Sequence, residues 1–246
     1  MRKQRYLTLE KRLSVPFWTK LAVPLASIVA GFLFSAIFLL ISGESPIEVY
    51  SVMFEGAFGS AYGLSETVVK MIPLMIISVG VAFAFKMQIW NAGGEGQLHI
   101  GAAAATYVVL HLNGCNRFVT VLLAFLAAFI CAGIYGLIPA ILKVKWKVNE
   151  LITCLMLNYV ATFFVAWLIQ GPWKDPTGFA FPRTRKIPSA GELTTFFGTR
   201  IHTGLIIGLA IALALWFVIY KTRWGFEIKL IGAKDKVARY AGMSVN

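Results

Sequence analysis

The sequence predicts an all-α membrane protein with about six transmembrane helices, the second and third short and open to a break. Three observations predict it. Of 246 residues, 58% are hydrophobic and 14% charged, whereas soluble domains are about half apolar and a quarter charged. The apolar residues fall in runs that match the roughly 20 residues a helix needs to cross the hydrocarbon core. The Lys and Arg residues gather in short segments beside those runs, as the positive-inside rule describes.

A basic tail, 1–20, carries Arg2, Lys3, Arg5, Lys11 and Arg12. The first span, Leu21–Ser42, is longer than the apolar core of a secretory signal and ends in no A-x-A site, so it is read as retained. The second, Thr67–Phe85, has Pro73 near its start, and the third, Leu98–Leu112, is short and made of Gly and Ala. The remaining three are Phe118–Leu142, Leu151–Gly171 and Thr203–Tyr220.

Charge then orients them. The tail 1–20, Lys143, Lys145 and Lys147, and the final segment 221–246 are placed inside, while Glu44, Glu48, Glu55 and Glu66 lie outside. The segment 172–202 dissents: it is placed outside yet holds Lys174, Arg183, Arg185, Lys186 and Arg200. It is also rich in aromatics and proline, which suits an interfacial belt, or else a cap over a pathway or a seat for a delivering protein. The transmembrane domain is therefore 21–220, in a cell membrane, with the N-terminus cytoplasmic.

A net charge of +12 would suggest nucleic-acid binding in a soluble chain, but membrane topology explains it here without nucleic acid. Cys115, Cys131 and Cys154 form no CxxC or Cys/His cluster, so neither a disulfide framework nor a metal site is expected. His99, His111 and His202 are scattered. There is no phosphate loop and no Ser/His/Asp constellation. Catalysis is not expected of this chain, nor a cofactor on it.

Three segments carry the polar chemistry. Trp90-Asn91-Ala92-Gly93-Gly94-Glu95-Gly96-Gln97 joins the two shortest spans. Its glycines free the backbone from helical geometry, and broken helices in a membrane line cavities. Asn91, Glu95 and Gln97 would there offer donors and acceptors to the hydroxyls of a sugar or the edge of a base; the bland alternative is a cytoplasmic turn. Glu150, Cys154 and Asn158 share one helix face at spacings of four. Asn158 then lies about two turns into the membrane, where it either lines a pathway or bonds a neighbouring helix. Finally, Asp235 is a candidate N-cap for a short basic helix in 221–246, which seats either on another protein or on anionic headgroups.

Four segments together resemble the permeases of ATP-binding-cassette importers for sugars and nucleosides: Phe58-Gly59 with Glu66 to Pro73-Leu74, Asn91 to Gln97, Val148 to Thr153 with Met156 to Tyr159, and Gly225-Phe226 to Gly242. The Gly-Glu-Gly-Gln form is similar to the nucleoside branch, which is linked to basic membrane lipoproteins. The resemblance implies a permease subunit paired with a second permease, fed by an extracytoplasmic substrate-binding lipoprotein, and driven by a separate ATPase that holds ATP and Mg. It places the substrate pathway at Asn91, Glu95, Gln97 and Asn158. It places ATPase coupling at Gly232, Asp235, Ala238, Arg239, Tyr240 and Gly242, although Ala233-Lys234-Asp235-Lys236 stands where the family usually has Asn-Pro. It also implies further spans, so that 21–220 is the N-terminal part of a longer domain. Two other readings compete. One is a truncated or assembly subunit with no pathway of its own. The other is a membrane-embedded enzyme, for which the isolated carboxylates and histidines are a poor match.

Overall fold

The computed structural model describes residues 16–112, 115–178, 181–196 and 198–233. Their helices are α1 (Phe17–Ile41), α2 (Pro46–Phe58), α3 (Ala61–Lys86), α4 (Gly94–His111), α5 (Arg117–Trp146), α6 (Glu150–Gln170), α7 (Gly204–Lys221) and α8 (Arg223–Ala233), with a 3-10 turn at Ser189–Gly191. Among the described residues there is no strand, only isolated bridges Lys174–Thr184 and Thr195–His202.

Five helices, α1, α3, α5, α6 and α7, are long and apolar enough to cross a membrane. The expected sixth, Leu98–Leu112, is α4, which starts four residues earlier. Its first turns hold Glu95, Gln97 and His99, and these polar groups keep it out of the spanning set. The segment read as an acidic outer loop contains α2, opened by Pro46 at the first helical position, where a missing N–H is harmless.

The chain divides into two compact units, residues up to Leu64 and from Ser65 onward. In the first, α2 lies against α1. The Tyr50 hydroxyl donates to the Phe32 carbonyl (2.7 Å), meets Ser35 Oγ (2.6 Å), and its ring meets Phe32 edge-on. No residue of α1 is buried, and so bare an apolar helix is stable only in lipid or against a partner.

In the second unit, α4 packs on α5 and α6. The approach is close because the surfaces are small: a Cβ at Gly101 would lie 3.4 Å from the Ala132 methyl, the pattern by which membrane helices gain dispersion contact. The Tyr135 hydroxyl donates to the Leu157 carbonyl (2.6 Å) and ties α5 to α6.

A tight turn reverses the chain between these two helices. Lys147 is left-handed (φ +53°), and Val148 N–H reaches back to the Leu142 carbonyl (3.4 Å), closing α5. Asn149 Oδ1 accepts from Leu151 N–H (2.9 Å) and opens α6. Lys143 Nζ meets Glu150 Oε1 at 2.5 Å across the turn.

At the opposite end, the segment after α6 is tied to the starts of α5 and α3 by polar groups. Arg117 donates twice to the Glu192 carbonyl (3.0 and 2.7 Å), and Arg200 pairs with Glu66 (3.1 Å).

Candidate functional site

The chain between α3 and α4 is short and polar, and it is held by α6. Gln88, left-handed at φ +58°, ends α3, with Ile89 N–H donating to the Ala84 carbonyl (3.2 Å). The backbone from Trp90 to Gly93 then runs along the α6 face that carries Glu150, Cys154 and Asn158. Trp90 and Leu151 wall the same cavity. Asn91 Oδ1 accepts from Gly93 N–H (3.0 Å) and from the Cys154 thiol (3.8 Å).

Asn158 completes the dock. Its Oδ1 accepts from Gly96 N–H (2.9 Å) and its Nδ2 donates to the Ala92 carbonyl (2.9 Å). One buried carboxamide therefore satisfies an orphan N–H in the first turn of α4 and a carbonyl of the non-helical segment. Gly96 is required here, since a Cβ would come within 2.8 Å of Asn158 Oδ1 and 3.2 Å of the Tyr135 ring.

This sets the break along α6 rather than beyond its end. Glu150 to Asn158 is about 12 Å of helix rise. Gly93, which precedes the first turn of α4, lies beside Cys154 (a Cβ there would be 3.3 Å from its Sγ), so α4 begins about 6 Å, one turn, further along than α6. With 18 residues, α4 runs for about 27 Å, against about 45 Å for the 30 residues of α5. A short helix preceded by a non-helical stretch within a membrane must be buried in protein or line a cavity.

It does both. A cavity of about 740 Å³ opens beside α4, between α3, α5 and α7. Asn91 and Gln97 are its polar side chains, Gly101, Gly133 and Gly136 form its floor, and Phe125 and Phe129 stand further along α5. A second cavity of about 300 Å³ adjoins it, walled by Trp90, Asn91, Glu95 and Leu151. Ile77, Val81, Asn91 and Gly94 belong to both.

The Gln97 amide lies over Gly136, within 2.7 Å of where a Cβ would be. It is half-buried and has no hydrogen-bond partner among the described residues. Glu95 is largely exposed, with His99 Nε2 3.9 Å away on the next turn. Among the described residues, no group of three His, Cys, Asp or Glu gathers as a metal site.

Of the residues singled out from sequence, Asn91, Glu95 and Gln97 line the cavities. Asn158 lines neither; it holds the segment that does. Of the coupling positions, Gly232 lies near the end of α8, against the backbone of Lys86 and Met87, with no room for a side chain. Asp235, Ala238, Arg239, Tyr240 and Gly242 lie outside the described residues. Sequence reasoning did not single out Phe125, Phe129, Gly133, Tyr135 and Gly136. The available signal was the spacing of Phe125, Phe129, Gly133 and Gly136 by three and four along one apolar run; Tyr135 lies off that series.

The sequence model of the family described as the permease component of branched-chain amino acid transport systems matches residues 63–246. Three curated relatives align over nearly the whole chain. The glucose ABC transporter permease protein TsgB13 of Haloferax volcanii is 34% identical over 97% of this chain and 65% of that protein. The guanosine ABC transporter permease protein NupP of Bacillus subtilis is 35% identical over 92% and 65%. The nucleoside ABC transporter permease protein NupB of Lactococcus lactis is 32% identical over 92% and 64%. The chain thus spans just under two thirds of the length of these relatives. No solved structure matches it.

Proposed function

The chain belongs to the family of permease components of branched-chain amino acid transport systems, and from that premise we propose that it is the membrane-spanning subunit of an ATP-driven importer that carries nucleosides or related simple sugars into the cytoplasm. The observation that carries this reading is the Gln97 amide. It is a half-buried carboxamide with no hydrogen-bond partner among the described residues, standing in a cavity of about 740 Å³ beside a break between two helices. A polar group left unmade within a membrane is costly unless a ligand or water meets it.

In this reading Asn91 and Gln97 hold the hydroxyls or the base edge of the substrate. Glu95 sits where the substrate leaves toward the lysine-rich end, and Asn158 fixes the segment that presents them. The names of three relatives, which include glucose, guanosine and nucleoside, agree with an uncharged polar cargo.

ATP with its Mg belongs to a separate ATPase, docked on the segment 221–246 at the cytoplasmic face. A second permease subunit completes the pathway, and an extracytoplasmic lipoprotein delivers the substrate. The close seat of Gly232 on Lys86 and Met87 means that a push on the end of α8 reaches the start of the Gln88–Gly93 segment directly.

The test is uptake of labelled nucleoside and of labelled sugar by cells with and without this gene. Uptake should be lost on deletion and restored by the gene in trans. Equal uptake of both cargoes in the two strains overturns the reading.

A further inference from the structure

On the reading just given, we infer that the larger cavity takes a nucleoside, an uncharged flat heterocycle joined to a hydroxyl-bearing part, and that Phe125 and Phe129 select it by stacking against the base. A free sugar, a nucleotide and a zwitterionic amino acid are the ligands it discriminates against.

Three features of the cavity lead there. First, none of its lining residues is charged. A phosphate or an amino acid entering it would leave water without a counter-charge, a large penalty in a low-dielectric site. Glu95 lies in the adjoining smaller cavity, and it would repel a phosphate.

Second, the cavity's polar capacity is that of two carboxamides. Gln97 has both its amide oxygen and its NH₂ group free of partners among the described residues. Asn91 has its Oδ1 committed to Gly93 and Cys154, leaving its Nδ2 to donate. One acceptor and several donors on neutral groups match base edges and ribose hydroxyls, which bring both kinds of partner.

Third, the far wall is aromatic. Phe125 and Phe129 are four residues apart on one face of α5 and are 49% and 73% exposed. Phe129 is largely uncovered by the described chain, and Phe125 about half so. A free sugar placed there would set unpaired hydroxyls against phenyl faces, whereas a heterocycle gains a stacked contact. From Phe129 to Gly136, where the Gln97 amide lies, α5 rises about 10 Å. One ligand can therefore touch a ring at one end and an amide at the other. The Gly and Ala floor between them allows a flat molecule to lie close against the helices. Lipid chains alone would fit the rings, but they would leave the Gln97 amide unpaired in hydrocarbon.

The experiment is competition for uptake of a labelled nucleoside by cells that carry the complete transporter, with Phe129→Leu, Phe125→Leu, Phe129→Tyr and Phe163→Leu introduced into this subunit. Phe163, on α6, is exposed and lines neither cavity. Each variant is first matched for its amount in the membrane fraction, so that a failure to fold is read separately from a failure to bind.

Unlabelled nucleosides should compete, whereas free ribose, a nucleoside monophosphate and leucine should not. Phe129→Leu and Phe125→Leu should each raise the half-saturating nucleoside concentration roughly ten-fold, the scale of one lost base–aromatic stack. Phe163→Leu should stay near the parent, and Phe129→Tyr, which keeps a ring to stack, should lose less than Phe129→Leu. Competition by the monophosphate or by leucine at nucleoside concentrations overturns the inference. So does sugar uptake that both Phe→Leu variants leave intact, although the importer reading survives that result. Failure to carry any nucleoside or sugar overturns both.

Discussion

Asn158 and Gln97 are the same functional group at nearly the same depth, and they have opposite fates. Asn158, on α6, is buried and spends both ends of its amide on the backbone of Gly96 and Ala92. Gln97, on α4, is half-buried and spends neither on the described chain. The first amide is structural because its bonds are made at home; the second is available because they are not. In water the distinction would be slight, since solvent completes any open amide. Away from water an open polar group is costly, so in the proposed function the incomplete one is the group that meets the substrate.

Removing the satisfied amide should have the largest effect. Asn158→Leu leaves Gly96 N–H and the Ala92 carbonyl unpaired in a site that leucine's branched tip cannot serve. The expected loss is about 2–5 kcal/mol of stability, read as a lower denaturation midpoint of the purified protein in detergent, together with loss of uptake. Asn158→Asp, which keeps the acceptor for Gly96 but loses the donor to Ala92, should fall between. If Asn158→Leu unfolds at the parent's midpoint, the dock along α6 is not what holds the break.

Changing the open amide should separate stability from transport. Gln97→Met keeps length and removes the polar tip, so stability should stay within about 0.5 kcal/mol of the parent, as for substitutions that break no made bond. Uptake should fall by roughly ten-fold or more, the loss expected when a bound polar group meets no partner. A variant that loses midpoint and uptake together would show that Gln97 is as structural as Asn158, and the contrast would be gone.

How far this was readable from sequence differs between the two amides. The α6 face of Glu150, Cys154 and Asn158 follows from spacing alone, and the Gly-rich stretch from Asn91 to Gln97 stands out as polar between apolar runs. That one packs on the other was not readable, because residues 62 positions apart meet only through the turn at Lys147–Asn149 and the antiparallel return of α6. The start of α4 was placed four residues late because its first turn is written in Gly, Glu and Gln, a poor apolar signal. Helix α2 was hidden by Glu48 and Glu55 among its apolar residues. Phe125 and Phe129 were invisible for the opposite reason: in an apolar run every position looks lipid-facing, and only the cavity tells them apart.

The comparison also predicts its own weakest case, a satisfied polar group that does face water. Asp175, in the segment after α6, accepts from Thr177 N–H (3.0 Å) and the Thr177 hydroxyl (2.7 Å), with Arg183 beside it (3.5 Å). The Thr177 N–H first, then its hydroxyl and the Arg183 charge, hold the carboxyl below the usual aspartate range. A carboxylate with a depressed folded pKa contributes stability that is whole above the unfolded value near 4 and is lost as pH falls through the folded value. Local amide protection at Thr177 and Gly178 should therefore be flat from neutral pH to about 4 and decline below it. Asp175→Asn, with one amide oxygen left to accept and no charge, should flatten that decline while leaving the denaturation midpoint at pH 7 nearly unchanged. Hydrogen exchange across a pH series reads both. A midpoint shift as large as that of Asn158→Leu would mean that solvent access is not what separates the costly polar groups of this protein from the cheap ones.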